Sequence, residues 1–161
     1  MVNINQAMNG QGRDKKMIVR GHVIPLMRGM LHDIESTSSV SEQYKCLKVS
    51  WILHFLEMSQ WLVGQLKECE QTQREGLKRL NEAFGENKIK HRVYGHLLHN
   101  LGVVCHNTSR YEEAAWFYKQ AIDAKKAAND YDGDEEGRKR NIELSERNLR
   151  IVQHEMKWLA T

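Results

Sequence analysis

Histidine and asparagine side chains recur over one short stretch of the chain at spacings that place them on one side of a helix. Neutral imidazoles and amides both donate and accept hydrogen bonds, so they can hold the backbone of another polypeptide. The opposite side of the same helix carries large apolar and small residues, which predicts that it packs inward. The pattern therefore predicts a solvent-accessible, partner-binding face formed by His96, His99, Asn100, Val103, His106 and Asn107. The alternative is that this face is merely solvated.

The same histidines have spacings that zinc can use, but the set of ligands is incomplete. No Cys pair, HExxH motif or carboxylate accompanies His96, His99 and His106, and Cys105 falls on the packing side. No nucleophile–base pairing, glycine-rich phosphate loop or paired-carboxylate pattern stands out in the chain. We therefore expect no metal, no cofactor and no enzymatic activity.

The elements that must position these side chains are two amphipathic helices joined by a short polar turn. The spacing predicts one helix over Ile89–His106, a turn at Asn107–Ser109 and a second helix over Arg110–Asn129. The pattern starts at Leu98 and continues at +3, +4, +7, +16, +20 and +23 with Leu101, Gly102, Cys105, Ala114, Tyr118 and Ala121. Small residues at two of these positions let the helices approach, and the tyrosine fills the space beside them.

That spacing over 98–124 resembles a tetratricopeptide repeat. The phrases HNLG and YEEA…YKQAI are most similar to the repeats of kinesin light chains. The resemblance implies an all-α protein of antiparallel hairpins stacked in a short right-handed solenoid, with a concave groove lined by the first helix of each hairpin. It also implies a non-catalytic adaptor or scaffold that binds a segment of a partner protein.

Residues 43–84 have helical periodicity throughout and allow two interpretations. One is a single long helix; the other is a degenerate hairpin with a turn near Glu70–Arg74. An internal comparison favours the hairpin, because four residues each lie 38 positions before a residue of the clear repeat: Gly64, Gly76, Leu80 and Ala83. In a hairpin Trp61 would face the groove, so it joins the predicted partner-binding residues.

The two ends of the chain give different patterns. We expect 1–40 to be a flexible or loosely docked segment, disordered over 1–16 and with a short helix after Pro25, and 41–161 to be the helical repeat domain. A last helix over Glu135–Leu159 is expected to cap the stack, with Asp134 as its N-cap. Ser145 interrupts its apolar stripe, and a second apolar row contains Leu144, Ile151 and Trp158. The alternative for this helix is a coiled coil. The alternative function for the protein is that of a structural subunit that packs through apolar helix faces into an oligomer.

Composition limits the remaining function classes. The net charge of +3 lies within the first 33 of 161 residues, which leaves the rest neutral and without the dense basic stripe of a nucleic-acid-binding protein. Three cysteines without tight spacing fit a reducing compartment, and no apolar run is long enough for a membrane span or a signal peptide. We expect a cytoplasmic protein in which Trp116 packs inside the repeat and Trp158 is exposed.

Overall fold

The structure is a computed structural model that describes residues 14–131 and 133–160. Most of the described residues are helical and none of them forms a strand, which confirms the all-α prediction. The helices are α1 (Ile24–Ser36), α2 (Glu42–Leu62), α3 (Leu66–Phe84), α4 (Arg92–Asn107), α5 (Tyr111–Ala127) and α6 (Glu135–Leu159). A π-helical turn, Val19–Val23, precedes α1, and a 3-10 helix, Gly85–Lys90, lies between α3 and α4.

Each helix packs against the helix that follows it in the chain. Short connections make two antiparallel hairpins, α2–α3 and α4–α5, and α6 packs against α5. The first helices of the two hairpins, α2 and α4, also contact each other. As a result, one side of the molecule presents α2 and α4 next to each other, and side chains of α4 reach α6 as well.

The α4–α5 hairpin forms as the sequence pattern predicts. Ala114 and Tyr118 are fully buried, and they share one core cluster with Leu98 and Leu101. A Cβ atom at Gly102 would lie 2.7 Å from the Tyr118 ring, so the ring packs directly on the glycine backbone. The small and aromatic residues therefore do what their spacing indicates: they set the distance between the two helices.

Residues 43–84 form a hairpin, but its turn is not where the sequence predicts. The chain reverses at Val63–Gln65, where Gly64 adopts φ +79°, a conformation that suits glycine because it lacks a Cβ. The predicted turn at 70–74 is wrong, because these residues lie inside α3 and Arg74 pairs with Glu70 one helical turn earlier. The 38-residue spacing between the two hairpins is also wrong, because it matches Gly64, which lies in this turn, with Gly102, which lies inside α4.

The turns of the two hairpins lie 45 residues apart. Helix α2 ends at Leu62 and α4 at Asn107, 45 residues later. Helix α3 begins at Leu66 and α5 at Tyr111, again 45 residues later. When the hairpins are aligned on this spacing, Glu57 and Gln73 of the first occupy the positions of Gly102 and Tyr118 in the second. Both Glu57 and Gln73 are buried. The first hairpin therefore carries a polar pair at the positions that define the sequence pattern.

The described N-terminal part is helical over residues 14–36. Residues 14–16 are helical, so the prediction of disorder is wrong there, and its remaining part, 1–13, lies outside the described residues. Pro25 lies in the first turn of α1, as predicted. Ile24 is buried in a cluster with Val49, Leu53 and Leu56 of α2. The boundary between 1–40 and 41–161 stays a prediction.

Helix α6 has the predicted bounds, and Asp134 caps it by accepting a hydrogen bond from the Gly137 backbone N–H. Val152 of its apolar stripe is fully buried in the α4–α5 core. The second apolar row, Leu144, Ile151 and Trp158, is exposed. Exposure of Trp158 was predicted, but the prediction that Trp116 packs inside the repeat is wrong, because 55% of its surface is accessible.

Candidate functional site

The predicted partner-binding side of α4 does not face solvent along its whole length. Asn100 donates a hydrogen bond to Glu57 of α2, and His106 Nε2 lies 2.7 Å from a carboxylate oxygen of Glu155 on α6. Asn107 is exposed at the end of the helix and donates to the Val103 carbonyl. The side chains of this face therefore connect α4 to α2 and to α6.

His99 contradicts the prediction of solvent access. It is 7% exposed, its Nδ1 lies 2.9 Å from Ser145 Oγ of α6, and its ring packs on Tyr118. Burial, helped by the positive charge of Lys125, lowers its pKa to about 3. The sequence prediction failed here because α6 lies against α4 at this position, which the pattern within α4 cannot show. His99 is a structural residue.

His96 is half-buried among aromatic rings. Its ring centroid lies 5.8 Å from that of Trp51 and 5.3 Å from that of His54, both on α2. Burial lowers the pKa of His96 to about 3 and that of His54 to about 4, and Lys125 adds to both effects. Both imidazoles are therefore neutral at physiological pH.

Three of the predicted residues meet at one pocket. Trp61 from α2 and Asn100 and Val103 from α4 line a cavity of about 250 Å³. Met58 and Leu62, both about half exposed, complete its apolar wall, and Glu57 lies at its base. We call this the α2–α4 pocket. It is large enough for one apolar side chain of a ligand, and its walls are mostly apolar.

The base of the α2–α4 pocket carries a buried carboxyl group. Glu57 is 4% exposed, and its Oε2 accepts a hydrogen bond of 2.7 Å from Asn100 Nδ2. The same Asn100 nitrogen lies 3.2 Å from His54 Nδ1. Burial raises the pKa of Glu57 to about 7, and the Asn100 hydrogen bond only partly opposes this. At neutral pH the carboxyl group therefore exists in both forms, and a donor from a ligand would favour the charged one.

A second polar group, which the sequence analysis missed, lies beneath α4. Lys125 of α5 is fully buried, and its Nζ donates to the Asn141 carbonyl and to Ser145 Oγ at 2.9 and 2.8 Å. Burial lowers its pKa to about 7. Its stem passes over Gly95, where a Cβ would lie 2.7 Å from Lys125 Cγ. The sequence contains one signal for this buried lysine: Ser145 interrupts the apolar stripe of α6, and a buried serine needs a polar partner.

The cysteines of this fold are not available as nucleophiles. All three are buried free thiols, and burial raises the pKa of Cys46 and of Cys69 and Cys105, the last two to about 12 and about 11. A thiol with such a pKa carries almost no thiolate at neutral pH. Across 14–131 and 133–160, no three His, Cys, Asp or Glu side chains are grouped so as to hold a metal ion.

Comparison with known proteins gives no match to a family model, a curated protein or a solved structure. In the part of the chain that the structure describes, no helix combines the length and the apolar character needed to cross a bilayer.

Proposed function

We propose that the chain is a non-catalytic adaptor or scaffold module that binds a segment of a partner protein at the α2–α4 pocket. The observation that carries the proposal is the pocket itself, with apolar walls from two neighbouring helices and a carboxyl–amide pair at its base. Apolar walls favour burial of an apolar ligand side chain, and the Glu57–Asn100 pair offers hydrogen bonds that fix its orientation.

The arrangement of the hairpins supports a repeat of tetratricopeptide type. Gly102 and Tyr118 make the close helix–helix contact that the repeat pattern implies, and a second hairpin follows the same order of helices 45 residues earlier. Neighbouring first helices, α2 and α4, make a concave side in such a stack, and the pocket lies between them. Under this proposal α6 caps the stack by covering α5.

Three further assignments belong to the same proposal. His96 lies one helical turn before Asn100, while His106 and Asn107 lie farther along α4, and these three side chains contact a longer ligand. The three free, buried cysteines fit a reducing compartment, so we place the protein in the cytoplasm. Nucleic acid is not the partner, since charge outside the first 33 residues is balanced.

One observation favours a second function, that of a structural subunit. Leu144, Ile151 and Trp158 lie seven residues apart on α6, and between about two-fifths and two-thirds of each side chain is exposed. An apolar row of this kind can pack against another chain in an oligomer. The two functions make different predictions for variants at the pocket and at the row.

Replacing Met58 by Asp is expected to weaken peptide binding about 10- to 100-fold, because the charge removes an apolar contact worth roughly 1.5–3 kcal/mol. Met58 is 49% exposed, so the variant keeps its fold. Peptides selected from a random display library on the wild-type chain serve as probes, and isothermal titration calorimetry measures their affinity. The matched control is Ile151→Asp, which alters the α6 row.

Equal affinity of wild type and Met58→Asp for every selected peptide would contradict binding at the pocket. If Ile151→Asp loses binding and Met58→Asp does not, the binding site lies on α6. A wild-type dimer that Ile151→Asp converts to a monomer, with no peptide selected, would support the structural subunit instead. Light scattering after size-exclusion chromatography distinguishes these cases.

A further inference from the structure

A second cavity lies next to the α2–α4 pocket, where the N-terminal helical segment passes the end of α2. It has a volume of about 410 Å³, and Ile18, Val19 and Leu62 give it an almost entirely apolar wall. Lys15 and Lys16, both exposed, also line it and give it a basic side, which we call the basic edge. We call this the N-terminal pocket. Arg20 adds positive charge nearby, where its Nη2 donates to the Val63 carbonyl.

The two pockets share a residue. Leu62 lines both the N-terminal pocket and the α2–α4 pocket, and 58% of its surface is exposed between them. Met58 continues the apolar surface from Leu62 toward Val103 of α4. A single ligand segment can therefore place one apolar side chain in each pocket without crossing a polar barrier.

The two ends of this surface differ in charge. Lys15 and Lys16 line the N-terminal pocket, whereas the ionisable residue that lines the α2–α4 pocket is a carboxyl group, Glu57. The cations are exposed, whereas the carboxyl group is buried beneath apolar walls. A bound segment with acidic side chains near one end therefore has a preferred direction, because these side chains are attracted to the lysines and are not attracted to the carboxyl group.

We propose that one amphipathic protein segment occupies both pockets, with an apolar anchor in each and acidic side chains beside the anchor that enters the N-terminal pocket. This inference rests on the proposed function and adds the chemistry and direction of the ligand. Two concave cavities suit individual side chains of a polypeptide better than the flat surface of a lipid bilayer. The basic edge selects acidic ligands, and so gives specificity that the apolar walls lack.

The test exchanges charges on both sides of the complex. A peptide selected on the wild-type chain is synthesised in two forms, with its acidic residues kept or replaced by lysine. Wild type is expected to bind the acidic form roughly 5- to 20-fold more tightly than the lysine form at low salt, the size expected of two exposed ion pairs. The double variant Lys15→Glu/Lys16→Glu is expected to reverse this preference.

The matched control is Lys139→Glu/Arg140→Glu, which makes the same change at two exposed positions of α6. It is expected to keep the wild-type preference. The milder variant Lys15→Gln/Lys16→Gln should bind both peptide forms about equally, and circular dichroism checks that each variant keeps its helices.

Three outcomes would overturn the inference. If peptides bind and Met58→Asp abolishes binding, but charge at Lys15 and Lys16 has no effect, the directional inference fails and the proposed function stands. If no peptide binds, both fail. If wild type instead binds vesicles of equal parts phosphatidylserine and phosphatidylcholine, and Lys15→Glu/Lys16→Glu abolishes this binding, the basic edge serves a lipid surface.

Discussion

Lowering the pH from 7 to 4 is expected to reduce the free energy of unfolding by on the order of 5 kcal/mol, which is enough to unfold a domain of ordinary stability. The cause is a set of three imidazoles packed between α2, α4 and α6: His54, His96 and His99. Their folded-state pKa values, about 4, 3 and 3, lie well below the usual 6.5 because burial disfavours the charged form.

The sign follows from proton uptake. Below pH 6.5 the unfolded chain binds protons at these histidines and the folded chain does not, so acidification favours unfolding until the folded-state values are reached. Glu57 acts in the opposite direction between pH 7 and 4.5, because its folded-state pKa is raised to about 7. One carboxyl group offsets only part of the effect of three histidines, so the net change is destabilising.

A second change in the free energy of unfolding is expected at alkaline pH. Burial lowers the pKa of Lys125 from 10.5 to about 7, so the unfolded chain is protonated at this lysine between these values while the folded chain is not. Stability should therefore rise as the pH increases from 7 to 9. Above pH 9 the buried cysteines, whose pKa values are raised, lose protons in the unfolded chain before the folded chain and oppose a further rise. Replacing Lys125 by Met removes the titrating group and should flatten this part of the profile.

Urea unfolding at a series of pH values measures both steps. His22→Gln is the control for a histidine outside the buried group, since His22 is exposed. It should leave the acidic step unchanged, whereas His99→Asn should reduce it. A wild-type profile that is flat from pH 7 to 9, or a slope over this range that persists in Lys125→Met, would contradict the burial of this lysine.

Tyr118→Ala is expected to cost about 3–5 kcal/mol, the second large effect. Tyr118 is fully buried, and its ring covers the backbone at Gly102, so truncation leaves a cavity between α4 and α5 that the rigid helices cannot close. Thermal unfolding followed by circular dichroism measures the loss.

Tyr118→Phe is the matched control for this cavity. It keeps the ring and is expected to remain within about 1.5 kcal/mol of wild type. If Tyr118→Ala melts at the wild-type temperature, Tyr118 does not fill the space between α4 and α5, and the hairpin packing is wrong. If Tyr118→Phe loses as much as Tyr118→Ala, the hydroxyl group and not ring packing would be responsible.

The sequence predicts the α4–α5 hairpin because its defining contact is local. Gly102 and Tyr118 are 16 residues apart, and their sizes report directly on the distance between two consecutive helices. The bounds of α6 were predictable for a similar reason, since Asp134 caps its first turn. The α2–α3 turn was missed because its only marker is Gly64, which was assigned to a helix by a false 38-residue match.

The buried polar groups were harder to predict because their partners are distant in sequence. His99 meets Ser145 across 46 residues, and Asn100 meets Glu57 across 43. A pattern within α4 shows that these side chains share a side, but it cannot show that α2 and α6 cover that side. The sequence predicts that Trp61, Asn100 and Val103 share a groove, but only from the resemblance to a repeat whose first helices line one. The structure places all three at one pocket.

The most direct test of the central proposal is a map of backbone chemical shift changes in the isotope-labelled chain, recorded as a selected peptide is added. The account predicts that the largest changes cluster at Met58, Trp61, Leu62, Asn100 and Val103, which line the α2–α4 pocket. Changes concentrated instead at Leu144, Ile151 and Trp158, with none at the pocket, would contradict binding between α2 and α4.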